Sequence, residues 1–144
     1  MVEQDTIKLL RECDAGIKMG VKSIDDVEKY VKSEDMKRTL NQSKAEHEKL
    51  EGEINAMLTT YHDDGKEPNP IATGMSWIKT NVKLGMNHSD ATVADLMTDG
   101  CNMGVKSLSG YLNKYEAASE RSKDIAKKLI KIEADLGESM RAYL

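Results

Sequence analysis

A chain of 144 residues is long enough for one domain with a real core. With 32% charged residues, 39% hydrophobic residues and a net charge of −4, it suits a soluble protein and has no overall basic field for nucleic acid or anionic lipid. No apolar run approaches the ~20 residues of a membrane span, and Met1-Val-Glu-Gln-Asp-Thr6 lacks the basic and apolar segments of a signal peptide. The expectations are therefore no membrane partner, no nucleic-acid partner and a cytoplasmic location.

The hydrophobic period is helical almost throughout. Ile7, Leu10, Asp14, Ile17, Val21, Ile24, Val27 and Val31 recur at spacings of three and four and predict a first long helix. Ser33 is placed to cap a second helix, with Glu34 and Asp35 in its first turn. That helix carries Leu40, Ser43, His47, Leu50, Ile54, Met57 and Tyr61 on one face. It stops at the breaker cluster His62 to Pro70. Met75, Trp77, Ile78, Val82 and Leu84 then predict a short amphipathic helix, with Trp77 anchoring it to the side of the bundle. Ser89 or Asp90 caps a third long helix with Ala94, Thr98, Cys101, Val105, Leu108, Leu112 and Tyr115 as its stripe. Ser119 caps a fourth, with Ala126, Leu129, Glu133, Leu136, Met140 and Tyr143 facing inward.

The two halves echo each other. Met19-Gly-Val-Lys-Ser-Ile24 returns 84 residues later as Met103-Gly-Val-Lys-Ser-Leu108, and Gly16 and Ile17 match Gly100 and Cys101. At an offset of 86, His47, Leu50, Ile54, Ala56 and Leu58 match Glu133, Leu136, Met140, Ala142 and Leu144. The chain thus divides into a hairpin over 3–62, a crossover over 63–88 and a second hairpin over 89–144, all within one domain. A crossover of this length can carry the chain back along the bundle, so that the second and third helices run parallel.

Phe is absent, so the core is aliphatic with Met as filler, Met57, Met97, Met103 and Met140 lying at core spacing. Cys13 and Cys101 are too few for a disulfide scaffold or a cysteine metal site and read as free, partly buried thiols. His62-Asp63-Asp64 and His88-Ser89-Asp90 contain metal-ligand types but sit at helix boundaries, where Asp and Ser make turns and caps. No nucleophile triad, phosphate loop or nucleotide motif is present. Gly16-x-x-x-Gly20 and Gly100-x-x-x-Gly104 place costly glycines inside two helices, and close approach of those helices is the expected reason.

Hairpin, long crossover, hairpin resembles the layout of the ferritin-like bundles over nearly the whole chain. It is also similar to a branch of small bacterial ferritin-like proteins in which a Pro-rich loop, here Pro68 and Pro70, precedes a short helix bearing Trp, here Trp77. The resemblance implies an all-α four-helix bundle of two repeated αα-hairpins, which commonly self-associates as a homodimer. It also implies a di-metal centre with an inward Glu on two helices and Glu-x-x-His on the other two. No Glu-x-x-His exists here, and Ile17, Cys101 and glycines stand where inward glutamates are needed.

The two-fold relation implied by that layout brings His47 and Glu133 face to face at mid-height. They form either a structural hydrogen-bonded or ion pair, or part of an iron, manganese or zinc site assisted by Glu51 or Asp14. Asp14 and Glu51 are level on neighbouring helices and would repel unless protonated, bridged by a cation or turned to solvent. The sequence therefore points to a non-catalytic structural or interaction protein with no cofactor. The alternative is a metal-binding oxidoreductase or metal-storage protein.

Overall fold

The structure, a computed structural model, describes residues 2–63, 65 and 89–144. Four long helices account for almost all of them: α1 (Val2–Glu28), α2 (Glu34–Thr60), α3 (Asp90–Lys114) and α4 (Glu120–Met140), followed by one 3-10 turn, Arg141–Tyr143. They form an all-α four-helix bundle, with no strand among the described residues. No helix among them is long and apolar enough to cross a membrane. The expected short crossover helix, its anchor Trp77 and the prolines at 68 and 70 lie outside the described residues, as do Asp64 and His88.

The caps explain where three helices begin. The hydroxyls of Ser33, Ser89 and Ser119 accept the N–H groups of Met36, Thr92 and Ser122, satisfying one otherwise orphaned donor in each first turn. Asp90 is not the cap of α3. Its carboxylate instead accepts the N–H groups of Lys32 at 2.7 Å and Ser33 at 3.1 Å.

The first turn is thereby tied to the start of α3. The second turn is tied to the start of α1 in the same way, Ser119 N–H donating to Thr6 at 2.8 Å and Ala117 N–H to Asp5 at 3.1 Å. Thr6 and Asp90 are 84 residues apart, and Ser33 and Ser119 are 86 apart, the two offsets of the sequence echo. These ties also fix direction: α2 and α3 run parallel, as do α1 and α4. The chain leaves α2 at one end of the bundle and enters α3 at the other.

The core consists of two apolar clusters. One gathers Leu9, Leu10, Cys13, Ile17, Leu50, Ile54, Leu108 and Leu129 with their neighbours. The other gathers Ile24, Val27, Val31, Met36, Leu40, Met97, Cys101, Leu136 and Met140 with theirs. Val31 follows the end of α1 and still points inward, closing the first turn over the second cluster. Met57, Met97 and Met140 are buried as their spacing predicts. Met103 is not: it is 66% exposed. Two residues beyond Cys101, it lies ~200° around the helix from that buried position, on the outer face of α3.

The end of α2 shows why the chain turns where it does. His62 has φ of 56°, and Asp63 N–H and His62 N–H donate back to Leu58 and Thr59 carbonyls at 3.0 Å each. This is a Schellman closure with histidine in the left-handed position that glycine ordinarily fills. A Cβ in that region costs about 1–2 kcal/mol. The substitution His62→Gly is expected to raise stability by about 0.5–1 kcal/mol once glycine's greater unfolded-state freedom is subtracted. A denaturant titration checks this, and an unchanged or lower midpoint would count against the assigned turn.

Candidate functional site

A polar layer separates the two apolar clusters, and each helix supplies one residue to it. On α1 it is Gly20, between Ile17 of one cluster and Ile24 of the other. On α2 it is His47, between Leu50 and Leu40; on α3 Gly104, between Leu108 and Cys101; on α4 Glu133, between Leu129 and Leu136. The three-four stripe that faces α2 and α4 inward carries His47 and Glu133 inward with it. His47 is fully buried and Glu133 is 8% exposed.

His47 Nε2 and Glu133 Oε1 are 2.9 Å apart, as their equivalent positions predict. His47 Nδ1 lies 2.7 Å from the Ser43 carbonyl oxygen. A carbonyl can only accept, so Nδ1 carries a proton. One further proton lies between Nε2 and Oε1, giving an imidazolium–carboxylate pair or, if it transfers, two neutral partners. Burial on its own lowers the imidazole pKa. The hydrogen bond and charge of Glu133, the Ser43 carbonyl and the charge of Glu46 outweigh burial and hold it above its ordinary value of 6.5. The shift is toward the protonated imidazole that the carboxylate of Glu133 can pair with.

Cys101 adjoins this pair from α3. Burial, then the charge of Glu133 and the hydrogen bond to it, raise the thiol pKa well above its usual range. Cys13 is likewise pushed up to about 12, by burial first and then by Glu12 and Asp14. Neither thiol has the stabilised thiolate that redox or nucleophilic chemistry requires.

Two of the four G-x-x-x-G glycines border this pair. A Cβ on Gly20 would stand 3.0 Å from His47 Nε2 and 3.3 Å from Glu133 Oε1. A Cβ on Gly104 would stand 3.4 Å from both Cδ and Oε2 of Glu133. Gly20 therefore leaves room for the polar pair and Gly104 lies in close contact with it, while α1 and α3 also pack against each other as expected. Gly16 would meet only Leu129 Cδ2, at an ordinary 3.8 Å, and Gly100 would meet nothing within 4 Å. Only the second glycine of each G-x-x-x-G borders the site.

The other two candidate ligands stand apart. Asp14 is fully buried on α1 and does not turn to solvent. Its charge is answered by Lys18, one turn on at 3.0 Å, a partner that sequence reasoning did not consider. Gly65, with φ of 91°, crosses above it so closely that a Cβ there would run into the carboxylate. Glu51 is half-buried on α2. Among the described residues no group of three or more His, Cys, Asp or Glu side chains is placed to hold a metal ion. The structure thus brings His47 and Glu133 together and does not gather Asp14 and Glu51 around them. Asp135 and Glu138 are exposed on α4, with Asp135 paired to Lys131 at 2.9 Å.

Two measurements follow from the layer. Gly20→Ala is expected to cost about 1–2 kcal/mol, because overpacking against the imidazole exceeds the gain in helix propensity. Gly100→Ala, in open space, is expected to gain about 0.5–1 kcal/mol. Equal effects of the two in denaturant titrations would show that the glycines are not distinguished by the polar pair.

The second measurement is a pH profile. Because the folded-state pKa of His47 lies above the unfolded value, its contribution is complete below about pH 6.5 and disappears as pH rises through the folded value. Stability should therefore fall as pH rises through that window in the wild type and stay flatter in His47→Gln.

No family model, curated protein or solved structure matches this chain.

Proposed function

We propose that the chain is a non-catalytic, ferritin-like bundle that acts as a structural or interaction module and lacks a complete di-metal centre. The observation that carries this reading is the composition of the mid-bundle layer. A ferritin-like centre draws four carboxylates and two imidazoles from its four helices. This layer offers Gly20, Gly104, one imidazole and one carboxylate, with Ile17 and Cys101 one turn away. Both imidazole nitrogens are engaged, Nδ1 by the Ser43 carbonyl and Nε2 by Glu133. A metal taking Nε2 and Oε1 would have to displace the proton the two atoms share.

The module is proposed to work as a homodimer. Met103, a large apolar side chain 66% exposed on α3, is the surface feature in favour of self-association. Metal analysis of protein purified without chelator tests the central claim. Iron, manganese and zinc are each expected well below one equivalent. Stoichiometric metal that disappears in a folded His47→Gln variant would establish the alternative instead, a metal-binding oxidoreductase or storage protein. Sedimentation velocity on the same preparation should give the mass of two chains, and a single-chain mass at micromolar concentration would remove the dimer.

A further inference from the structure

The two hairpins meet through equivalent surfaces. The Ser33–Asp90 bond at one end of the bundle corresponds to the Ser119–Thr6 bond at the other, by the offsets of 86 and 84. At the centre Gly20 corresponds to Gly104 by the offset of 84. Surfaces related in this way are self-complementary in outline, so the inner face of either hairpin has the shape to accept a second copy of itself. The mid-bundle layer breaks the equivalence, because His47 stands where its counterpart is Glu133.

We infer that the His47–Glu133 difference is a pairing-specificity device. It makes the inner face of each hairpin accept the opposite hairpin of this chain and reject the same hairpin of another copy. Two first hairpins would set two imidazoles against each other in a buried layer between glycines. Two second hairpins would set two carboxylates there. Like groups so placed cannot both ionise, whereas the unlike pair shares one proton at 2.9 Å. The layer lies beside Gly20 and Gly104, and what distinguishes its unlike pair from either like pair is charge and hydrogen bonding. The groups facing the imidazole are Glu133 from α4, with Cys101 beside that carboxylate from α3, Gly20 from α1 and Glu46 on its own helix. This inference is independent of the metal question, since it concerns which hairpin pairs with which.

Full-length variants build each disfavoured layer within one chain. His47→Glu reproduces the layer of two second hairpins, and Glu133→His that of two first hairpins. Each is expected to lower Tm by roughly 10 °C at pH 7. The first should recover on acidification to pH 5, where two carboxylates can share a proton. The second should lose further stability as pH falls below about 6.5, where the unfolded imidazoles take up protons that the buried pair resists, and stay level above about pH 7. The double exchange, His47→Glu with Glu133→His, should regain more than half of the combined loss. The recovery stays incomplete because Ile17, unlike Cys101, offers a carboxylate no donor. If a single variant is too unstable to purify, recovery of soluble, cooperatively melting protein in the double exchange reads the same coupling. A double exchange no more stable than the sum of the singles would overturn the inference, as would single variants whose pH profiles do not diverge in opposite directions.

Discussion

One proton held between His47 and Glu133 organises the bundle. A buried imidazole or a buried carboxylate alone is expensive, and each is tolerable only because the other is present. The partners come from different hairpins, so the bond forms only when the hairpins are docked in one register. Sliding one hairpin by a turn would leave both groups against aliphatic side chains. Hydrophobic burial supplies most of the driving force for the core, but burial is non-directional and would accept several registers. The polar layer restricts that freedom.

The glycines show what the layer demands of the backbone. Each interior glycine costs about 1 kcal/mol against alanine. At Gly20 the cost is offset by the room left for the imidazole, and at Gly104 a Cβ would press close against Glu133. The same bundle that places Leu and Ile with ordinary packing therefore narrows two of its helices to backbone at a single height. The large polar residues and the glycines occupy alternate helices in chain order, so volume is balanced across the layer. Cys101 completes it as a buried donor whose proton is held by burial and by the Glu133 carboxylate.

Much of this was legible in the sequence for local physical reasons. Ser33, Ser89 and Ser119 announce their helices because a hydroxyl before an apolar stripe has one good use, and all three cap as the sequence predicts. The meeting of His47 and Glu133 was legible because helical period and equivalent position fix both direction and height. The room that Gly20 leaves for the imidazole was not, since G-x-x-x-G carries the same letters whether it admits a neighbouring helix, a neighbouring side chain or both. None of the three alternatives for Asp14 included Lys18, because an i,i+4 pair is usually found on surfaces, whereas Asp14 is fully buried beside it. Met103 misled because it was grouped with the core methionines, whereas burial depends on the angle around its own helix. Asp90, a cap candidate by type, instead ties the opposite turn, a choice that only the tertiary arrangement makes.

The reciprocal ties at the two ends of the bundle have a kinetic consequence. Within each hairpin the helices are joined by a short turn, so their contacts are local and form early. The bonds from Asp90 to the first turn and from Asp5 and Thr6 to the second join residues separated by 57 to 113 positions. Contacts of that separation form late, after loop-closure entropy has been overcome. Each turn is therefore fastened only when the other hairpin arrives. Weakening a tie should leave the speed of folding almost unchanged while hastening unfolding. The ends of this bundle act as latches on its lifetime, and its centre decides what is latched.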